Sequence, residues 1–288
     1  MTNDASELDR KNREMWRRAA AGWGKWQAPL REATSPVSRW MVDAIDPKPG
    51  QRVLELAAGP GETGFLAAPR IGPHGTLISS DQSPEMVSVA RARAQELGLE
   101  NVEFEVLDGQ RIELESASVD AVLCRWGFML MGDAGAALRE THRVLGPAGR
   151  LALATWDAPE KNLWARAPAA QLIARDALPV PDPDAPGMFS MADPAALADR
   201  LGEAGFEQIE TERLGFSQSY ASFEQYWEAT CDLAAPIAQA LGTLDAGAAA
   251  EVREGARSVL DRFTTPDGGL EIPASAVVAA GRIPAEGT

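Results

Sequence analysis

The sequence predicts an α/β protein built on a doubly wound, mainly parallel sheet. Along residues 35–160, short apolar runs alternate with helical segments that are long enough for right-handed crossovers between parallel strands. The size agrees, because 288 residues with 45% hydrophobic and 24% charged side chains suit one large domain with an elaboration, or two modest domains.

Five strands are predicted in the first half of the chain. They are the runs QRVLELAAG, GTLISSD, VEFEVLD, VDAVLCRW and RLALATW. Helices are predicted over residues 5–27 and in SPVSRWMVDAI, SPEMVSVARARAQELG and DAGAALRETHRVLG. Ser35, Ser83 and Asp133 are the predicted N-caps of the last three, and Pro36 stands at the first helical position of its helix.

The second half has a different pattern. Residues 162–178 look helical, LPVPDPDAPG is a proline-rich loop, and DPAALADRLGEAGF is a helix capped by Asp193. EQIETERLGFSQSY and LEIPASAVVAAGRI are predicted strands, with a helical stretch from about Ser222 to Phe263 between them. The predicted divisions are an N-terminal helical flap (1–34), a core (35–160), further core helices and a strand (161–221), an inserted helical cap (222–265) and a last core strand (266–288).

Composition narrows the class of protein. A net charge of −15 argues against general nucleic-acid binding, which needs a basic face. With two cysteines, no Cys-x-x-Cys pair and two histidines, neither a disulfide framework nor a metal site is expected. The first residues lack signal-peptide features, and no apolar run reaches the roughly 18 residues of a membrane span. These observations predict a cytoplasmic protein.

The stretch LELAAGPGETG carries the first indication of a ligand. Gly59, Gly61 and Gly64 satisfy G-x-G-x-x-G, directly after a predicted buried strand and before a helix. Asp81 follows 20 residues after Gly61, at the end of the second strand, where a carboxylate can accept from ribose hydroxyls. To this point NAD and S-adenosylmethionine explain the sequence equally well.

Three further features favour S-adenosylmethionine. Glu55, at the end of the first strand, would repel a pyrophosphate but suits a cationic amino-acid group. Asp108 ends the third strand, where it can accept from the exocyclic amine of adenine. The Tyr-x-x-x-Lys pattern that hydride transfer could use does not occur, because Tyr220 and Tyr226 are followed at that spacing by other residues. An NAD-linked oxidoreductase is therefore the weaker alternative.

Four segments together resemble the class I S-adenosylmethionine-dependent methyltransferases, and within them the UbiE-like group that acts on small molecules. They are RVLELAAGPGETG, LISSDQSPEMVSVA, VEFEVLDGQRIELESASVDAVLCRWGFML and RETHRVLGPAGRLALATW. The resemblance implies a seven-stranded Rossmann-like sheet whose last strand is antiparallel. It also implies S-adenosylmethionine as cofactor and S-adenosylhomocysteine as product.

The resemblance assigns the cofactor residues by position. The residues implied are Glu55, Ala57, Gly59 and Gly61 for the methionine part, Asp81 for the ribose, Gln82 and Met86 beside the adenine, Asp108 and Gly109 at the adenine edge, and Arg125 near the sulfonium. Ala57 stands where the family usually has glycine, and alanine lacks glycine's freedom to adopt positive φ.

The acceptor pocket is expected between the carboxyl edge of the sheet and the inserted segments. The predicted acceptor-binding residues are Trp23, Trp26, Trp126, Phe128, Met129, Phe189, Tyr220, Tyr226 and Trp227. A pocket of this kind suits a flat or apolar small molecule, such as a phenol, indole, quinol or polyketide, although acids in the cap could receive an amine. The methylated atom, whether carbon, oxygen or nitrogen, stays open.

No catalytic residue is assigned from the sequence. Methyl transfer is an in-line displacement that mainly requires alignment, and a general base is needed only if the acceptor must lose a proton. His74, His142 and Cys124 are interpreted as structural. A non-catalytic cofactor-binding protein is the other alternative, and the acidic, alanine-rich run after Leu244 is a solvated cap helix or a homodimer contact.

Overall fold

The computed structural model describes residues 22–182 and 185–285, and its centre is one seven-stranded sheet. The strands are β1 (Arg52–Leu56), β2 (Thr76–Asp81), β3 (Val102–Val106), β4 (Val119–Arg125), β5 (Leu145–Trp156), β6 (Glu207–Tyr220) and β7 (Leu270–Arg282). Their order is β3-β2-β1-β4-β5-β7-β6. Strands β1 to β5 pair in parallel, and β7 runs antiparallel to both β5 and β6. The predicted fold class, with its antiparallel last strand, is confirmed.

Helices connect the strands and cover both faces of the sheet. They are α1 (Gln27–Ile45), α2 (Gly64–Ile71), α3 (Pro84–Glu96), α4 (Ala134–Val144), α5 (Leu163–Ile173), α6 (Pro194–Glu203), α7 (Phe223–Leu233), α8 (Ala235–Leu241) and α9 (Ala246–Leu260). Within the described residues, the predicted helix over residues 5–27 is represented only by its last six positions, so most of that prediction lies outside them.

Side-chain alternation along the strands divides the core into two layers. On β1, Val53 packs into a layer formed with α1, α2 and α3, whereas Leu54 and Leu56 pack into the layer formed with α4 and α6. All three side chains are fully buried. The sheet therefore holds its strand ends rigidly, and the loops that leave its carboxyl edge start from fixed positions.

Three predicted helix starts agree with the structure. Ser83 accepts a hydrogen bond from the Met86 amide at 3.2 Å, and Asp133 accepts one from the Ala136 amide at 2.7 Å. Asp193 caps α6 in the same way. In each case the side-chain oxygen satisfies an amide that has no partner within the first turn.

The predicted start of the helix at Ser35 and Pro36 is wrong. Helix α1 begins at Gln27, so both residues lie in its interior. A proline in a helix interior removes a backbone hydrogen bond and usually costs about 3 kcal/mol. That cost is offset because the following turns bury Val37, Met41 and Ile45 against the sheet.

The predicted helical stretch from Ser222 to Phe263 consists of three separate helices, α7 to α9, and a final 3₁₀ turn. Pro236 lies in the first turn of α8, where it cannot continue α7, and Asp245 starts α9 by capping the Ala248 amide. Residues of α5 pack with those of α7, α8 and α9, which ties this cap to the rest of the molecule.

The domain boundaries stay a prediction, although the division between residues 34 and 35 falls inside the continuous helix α1. Among the helices of the described residues, none is long and apolar enough to cross a membrane.

Candidate functional site

The loop after β1 has a backbone that favours glycine. Ala57, Gly59 and Gly61 have φ values of +49°, +53° and +84°. A Cβ at Gly61 would overlap the ring of Phe65, so that position has room only for glycine. Ala57 adopts the same left-handed region at a cost that glycine would not bear. The loop thus brings backbone close to any ligand that lies over it.

Asp81, at the end of β2, is hydrogen-bonded to this loop. Its carboxylate accepts from the amide of Gly59 at 3.0 Å and from that of Ser83 at 2.9 Å. Burial raises the pKa of Asp81, and these amide donors oppose the rise. The predicted ribose acid is therefore fixed beside the predicted methionine loop, as the resemblance requires.

Glu55 is buried at the end of β1 and only half of its carboxylate is paired. Oε1 accepts from the amide of Gly64 at 2.8 Å, whereas Oε2 is shielded from solvent and has no hydrogen-bond partner. Burial raises the pKa of Glu55 to about 7, and the Gly64 amide and the charge of Arg125 oppose the rise. Such an oxygen suits a cationic ligand group, which would supply the missing donor.

Arg125 connects the end of β4 with helix α1. Its Nη1 donates to Thr34 Oγ1 at 2.5 Å and to Ser38 Oγ at 3.2 Å. The Ser38 hydroxyl lies 3.0 Å from that of Thr63, in the glycine loop. This polar chain joins three elements around the site. Thr34 and Ser38 were not predicted: Thr34 lies before the predicted helix start, and Ser38 lies inside that helix with no local pattern that points to Arg125.

A second buried carboxylate, Glu62, lies in the same loop. Its Oε1 is 3.7 Å from Nε of Arg93, a residue of α3 that is also largely buried. Burial raises the pKa of Glu62, and the charges of Arg93 and Arg125 oppose the rise. Glu62 could not be predicted from the sequence, since a charged residue in a glycine loop gives no pattern by which to judge its burial.

The predicted adenine residues follow the neighbouring strands β2 and β3. Asp108 is half-buried, and its Oδ1 accepts from the Gln110 amide at 2.9 Å. Gly109 is buried beside Met131, and a Cβ there would be 2.7 Å from the Met131 Cε. Gln82 is half-buried and Met86 is buried. The structure thus brings these residues to one edge of the sheet, next to Asp81.

An aromatic cluster lies where β4 and β5 end. Trp126 stacks on Trp156 with ring centroids 4.2 Å apart and an interplanar angle of 5°. Trp164 meets Trp156 edge-on at 5.0 Å, and Phe216 lies 6.0 Å from it. Trp126 was predicted, whereas Trp156, Trp164 and Phe216 were missed. They come from β5, α5 and β6, so no local pattern connects them.

The other predicted acceptor residues are distributed around this cluster. Phe128 and Met129 are buried in a 3₁₀ turn, and Phe189 is half-buried against the same core. Tyr226 is fully buried and donates to the Trp164 carbonyl at 2.6 Å. Tyr220 donates to Gln218 Oε1 at 2.7 Å. Their contacts with a ligand stay predictions, and for Phe128, Met129 and Tyr226 core packing is the role that the structure displays.

Trp23 and Trp26 lie in the N-terminal segment, and Trp227 lies in helix α7 of the cap. Trp227 is half-buried and stacks on Phe223 with centroids 6.1 Å apart. Trp23 is half-buried, and Trp26 is buried and donates to Asp232 Oδ2 at 2.8 Å. Part of the acceptor set therefore lies at the contact between the N-terminal segment and helix α7.

Cys124, His142 and His74 were interpreted as structural, and none of them lies in a catalytic arrangement among the described residues. Cys124 is fully buried, and burial raises the pKa of its thiol to about 12, which keeps it protonated. His142, a residue of α4, packs edge-on against Phe206, with ring centroids 5.6 Å apart. His74 is exposed in the turn before β2.

The polar groups around the glycine loop fit S-adenosylmethionine. An unpaired buried carboxylate oxygen at Glu55 suits its ammonium group, and Asp81 and Asp108 stand at successive strand ends, where the ribose and adenine would lie. The positive φ values of the loop allow close backbone approach. When bound, the cofactor supplies an activated methyl group on its sulfonium.

Comparisons with known proteins agree with this fit. A family model described as a methyltransferase domain matches residues 47–178. The nocamycin O-methyltransferase of Saccharothrix syringae is 33% identical over 196 residues, 65% of this chain and 70% of the relative. The demethylmenaquinone methyltransferase of Thermus thermophilus is 34% identical over 127 residues, 43% of this chain and 57% of the relative.

This chain is also similar in fold to solved structures. The YcgJ protein of Bacillus subtilis superposes with a TM-score of 0.57 at 22% identity, covering 87% of this chain and 98% of that one. Together with the glycine loop, the acids at successive strand ends and the strand order, these similarities place the chain in the UbiE-like group of class I methyltransferases, enzymes that use S-adenosylmethionine.

Proposed function

We propose that this enzyme methylates a small, largely apolar or aromatic acceptor. The observation that carries the proposal is the cluster of Trp126, Trp156, Trp164 and Phe216 beside the glycine loop. The sheet presents two of these indoles at the ends of adjacent strands, β4 and β5, where the methyl group of the cofactor is expected.

Aromatic side chains favour this class of acceptor for physical reasons. Their faces stack on flat molecules, and their large apolar area makes it favourable to remove a similar molecule from water. The two named relatives support the choice, because each is named for a small-molecule acceptor, nocamycin or demethylmenaquinone.

In the proposed mechanism, the residues of the chain align the reactants. The glycine loop, Glu55 and Asp81 would hold the cofactor, and Asp108 would contact its adenine. The aromatic cluster would orient the acceptor and exclude water, and the bound cofactor would supply the methyl group. Holding two reactants in line can supply most of the rate enhancement of such a displacement. A general base is needed only where the acceptor must lose its proton during attack.

The N-terminal segment and the cap are proposed to enclose the acceptor. Residues 22–26 contact α7 through Lys25 and Trp26, so the N-terminal flap and the cap meet over the same end of the molecule. A homodimer through the cap is the alternative use of that surface. Two free cysteines are consistent with a reducing compartment such as the cytoplasm, which we propose as the location.

The experiment is a transfer assay with S-adenosylmethionine labelled in its methyl group. The acceptor set contains a phenol, an indole, a quinol and a 1,3-dicarbonyl polyketide mimic, with ethanolamine and glycine as polar controls. We expect label in the aromatic or apolar acceptors only. Label confined to the polar amines would contradict the acceptor class. S-adenosylhomocysteine binding without transfer to any acceptor would favour the non-catalytic alternative.

A further inference from the structure

Trp126 combines two unfavourable features in one residue. Its φ is +58°, in the left-handed region that bulky side chains rarely adopt. Its indole Nε1 is shielded from solvent and has no hydrogen-bond partner. Strained backbone and unpaired buried donors both raise the free energy of the folded protein, and strained backbone clusters at functional sites.

The contacts of Trp126 hold its ring in this position. The ring stacks on Trp156, and the Arg125 guanidinium lies 4.6 Å from its centroid. Its backbone amide donates to the Ala154 carbonyl at 2.7 Å. The indole therefore cannot turn freely to find a partner inside the protein, and its N–H has a fixed direction.

The position of Trp126 relates it to the reacting groups. It directly follows β4, and the next residue, Gly127, lies against the glycine loop, where a Cβ would be 2.7 Å from the Cβ of Ala57. On its other side, Trp156 connects it to Trp164 and Phe216. Trp126 is thus the member of the aromatic cluster that joins it to the cofactor loop.

We propose that Trp126 is a specificity-determining residue whose indole N–H donates a hydrogen bond to an oxygen atom of the methyl acceptor. This inference rests on the proposed function and narrows its substrate class. The acceptor is an aromatic or apolar molecule that carries a hydroxyl, carbonyl or carboxylate oxygen near the methylated atom. The N–H orients that oxygen and keeps its own proton throughout.

The test compares two variants that each replace one indole, Trp126 inside the cluster and Trp40 outside it. Trp126→Phe removes the unpaired N–H and keeps an aromatic ring on Trp156. Trp40→Phe is the matched control, because Trp40 lies outside the cluster and its N–H already donates to Glu212 Oε2 at 3.0 Å. Each protein is saturated with S-adenosylhomocysteine and titrated with 1-naphthol and with naphthalene, which differ by one oxygen.

We expect the wild type and Trp40→Phe to bind 1-naphthol about tenfold more tightly than naphthalene, the effect of one net hydrogen bond. Trp126→Phe should bind the two probes equally. A preference that survives in Trp126→Phe, or that is absent from the wild type, would overturn the assignment.

A second readout does not depend on the folding of any variant. In wild-type protein labelled with ¹⁵N at tryptophan, the Trp126 indole proton should move downfield with 1-naphthol and stay in place with naphthalene. A shift produced by S-adenosylhomocysteine alone would assign the N–H to the cofactor and contradict the proposal. Failure of the wild type to bind S-adenosylhomocysteine would instead contradict the proposed function itself.

Discussion

The Glu55 carboxyl both accepts a hydrogen bond from the segment after the glycine loop and carries a titratable charge. One carboxylate oxygen holds the first amide of α2, and the other is buried without a donor. Burial raises the pKa of this carboxyl from 4.5 to about 7 in the folded protein, against the opposing effect of the Gly64 amide. Between those two pH values the folded state holds a proton that the unfolded state releases, so stability must fall as pH rises.

Glu55→Gln should remove this pH dependence. The amide oxygen can still accept from Gly64, but the side chain no longer ionises. From pH 4.5 to pH 7, the wild type should lose stability relative to the variant by on the order of 3 kcal/mol, as a shift of this size implies. Urea unfolding at half-unit pH intervals measures the difference. Because Glu62 and Asp81 titrate in both proteins, parallel curves would show that Glu55 does not carry the effect.

The residues of the candidate site differ in how far the sequence alone could predict them. Glu55, Asp81 and Asp108 could be proposed as cofactor residues from the sequence because each lies at or just after the end of a strand, and these ends meet at one edge of a parallel sheet. Trp156 and Trp164 could not, since their approach to Trp126 depends on how β5 and α5 pack. The sequence specifies the cofactor side locally, whereas the acceptor side is assembled from distant segments.

At the scale of elements, the N-terminal segment and helix α7 form one contact. Lys25 pairs with Glu228 at 2.6 Å and with Asp232 at 2.7 Å, and Trp26 donates to the same Asp232. A Cβ at Gly22 would overlap the Asp232 carbonyl oxygen, so the backbones approach closely there. Hydrogen bonds from Lys25 and then Trp26 lower the pKa of Asp232, which keeps it ionised.

Asp232→Ala should loosen this contact without disturbing the sheet. Amide exchange in residues 22–30 should accelerate severalfold, because the variant loses both the cation and the indole as partners of residue 232. Hydrogen exchange followed by mass spectrometry provides the measurement. Asp43→Ala is the control, since it breaks an ion pair of α1 with Arg70 of α2 that does not involve the cap. Equal exchange in the wild type and Asp232→Ala would mean that apolar packing alone holds the segment.

The elements themselves could be predicted almost completely. All seven strands were found, because short apolar runs between turn residues are distinctive, and Ser83 and Asp133 marked their helices correctly. The error at Ser35 has a physical cause. A serine before a proline is a good helix start, but burial of the later face of α1 outweighs the cost of Pro36 inside the helix.

At the scale of the whole molecule, the proposed cofactor residues come from the ends of four neighbouring strands, β3, β2, β1 and β4. A ligand that contacts all four should stabilise the sheet as a unit, since it binds only when the strands are assembled. The effect of such a ligand on unfolding is set by its concentration relative to its Kd.

S-adenosylhomocysteine at 100 times its Kd should raise the free energy of unfolding by about 2.7 kcal/mol. In a protein of 288 residues that corresponds to a rise in Tm of roughly 4–5 °C. Differential scanning calorimetry measures it, with NAD at the same concentration as control. A comparable rise with NAD, and none with S-adenosylhomocysteine, would contradict the identification of the ligand.

The place of β7 in the sheet has a consequence for how the protein is made. Strand β7 comes last of the seven in the chain, yet it lies between β5 and β6. While the ribosome is still translating this region, β6 has no partner and the edge of β5 is open to other nascent chains. Strands β1 to β5, including the whole glycine loop, can already have paired. The nascent chain can therefore assemble its cofactor loop before β6 and β7 complete the sheet. Chaperones that shield the edge of β5 would act in that interval.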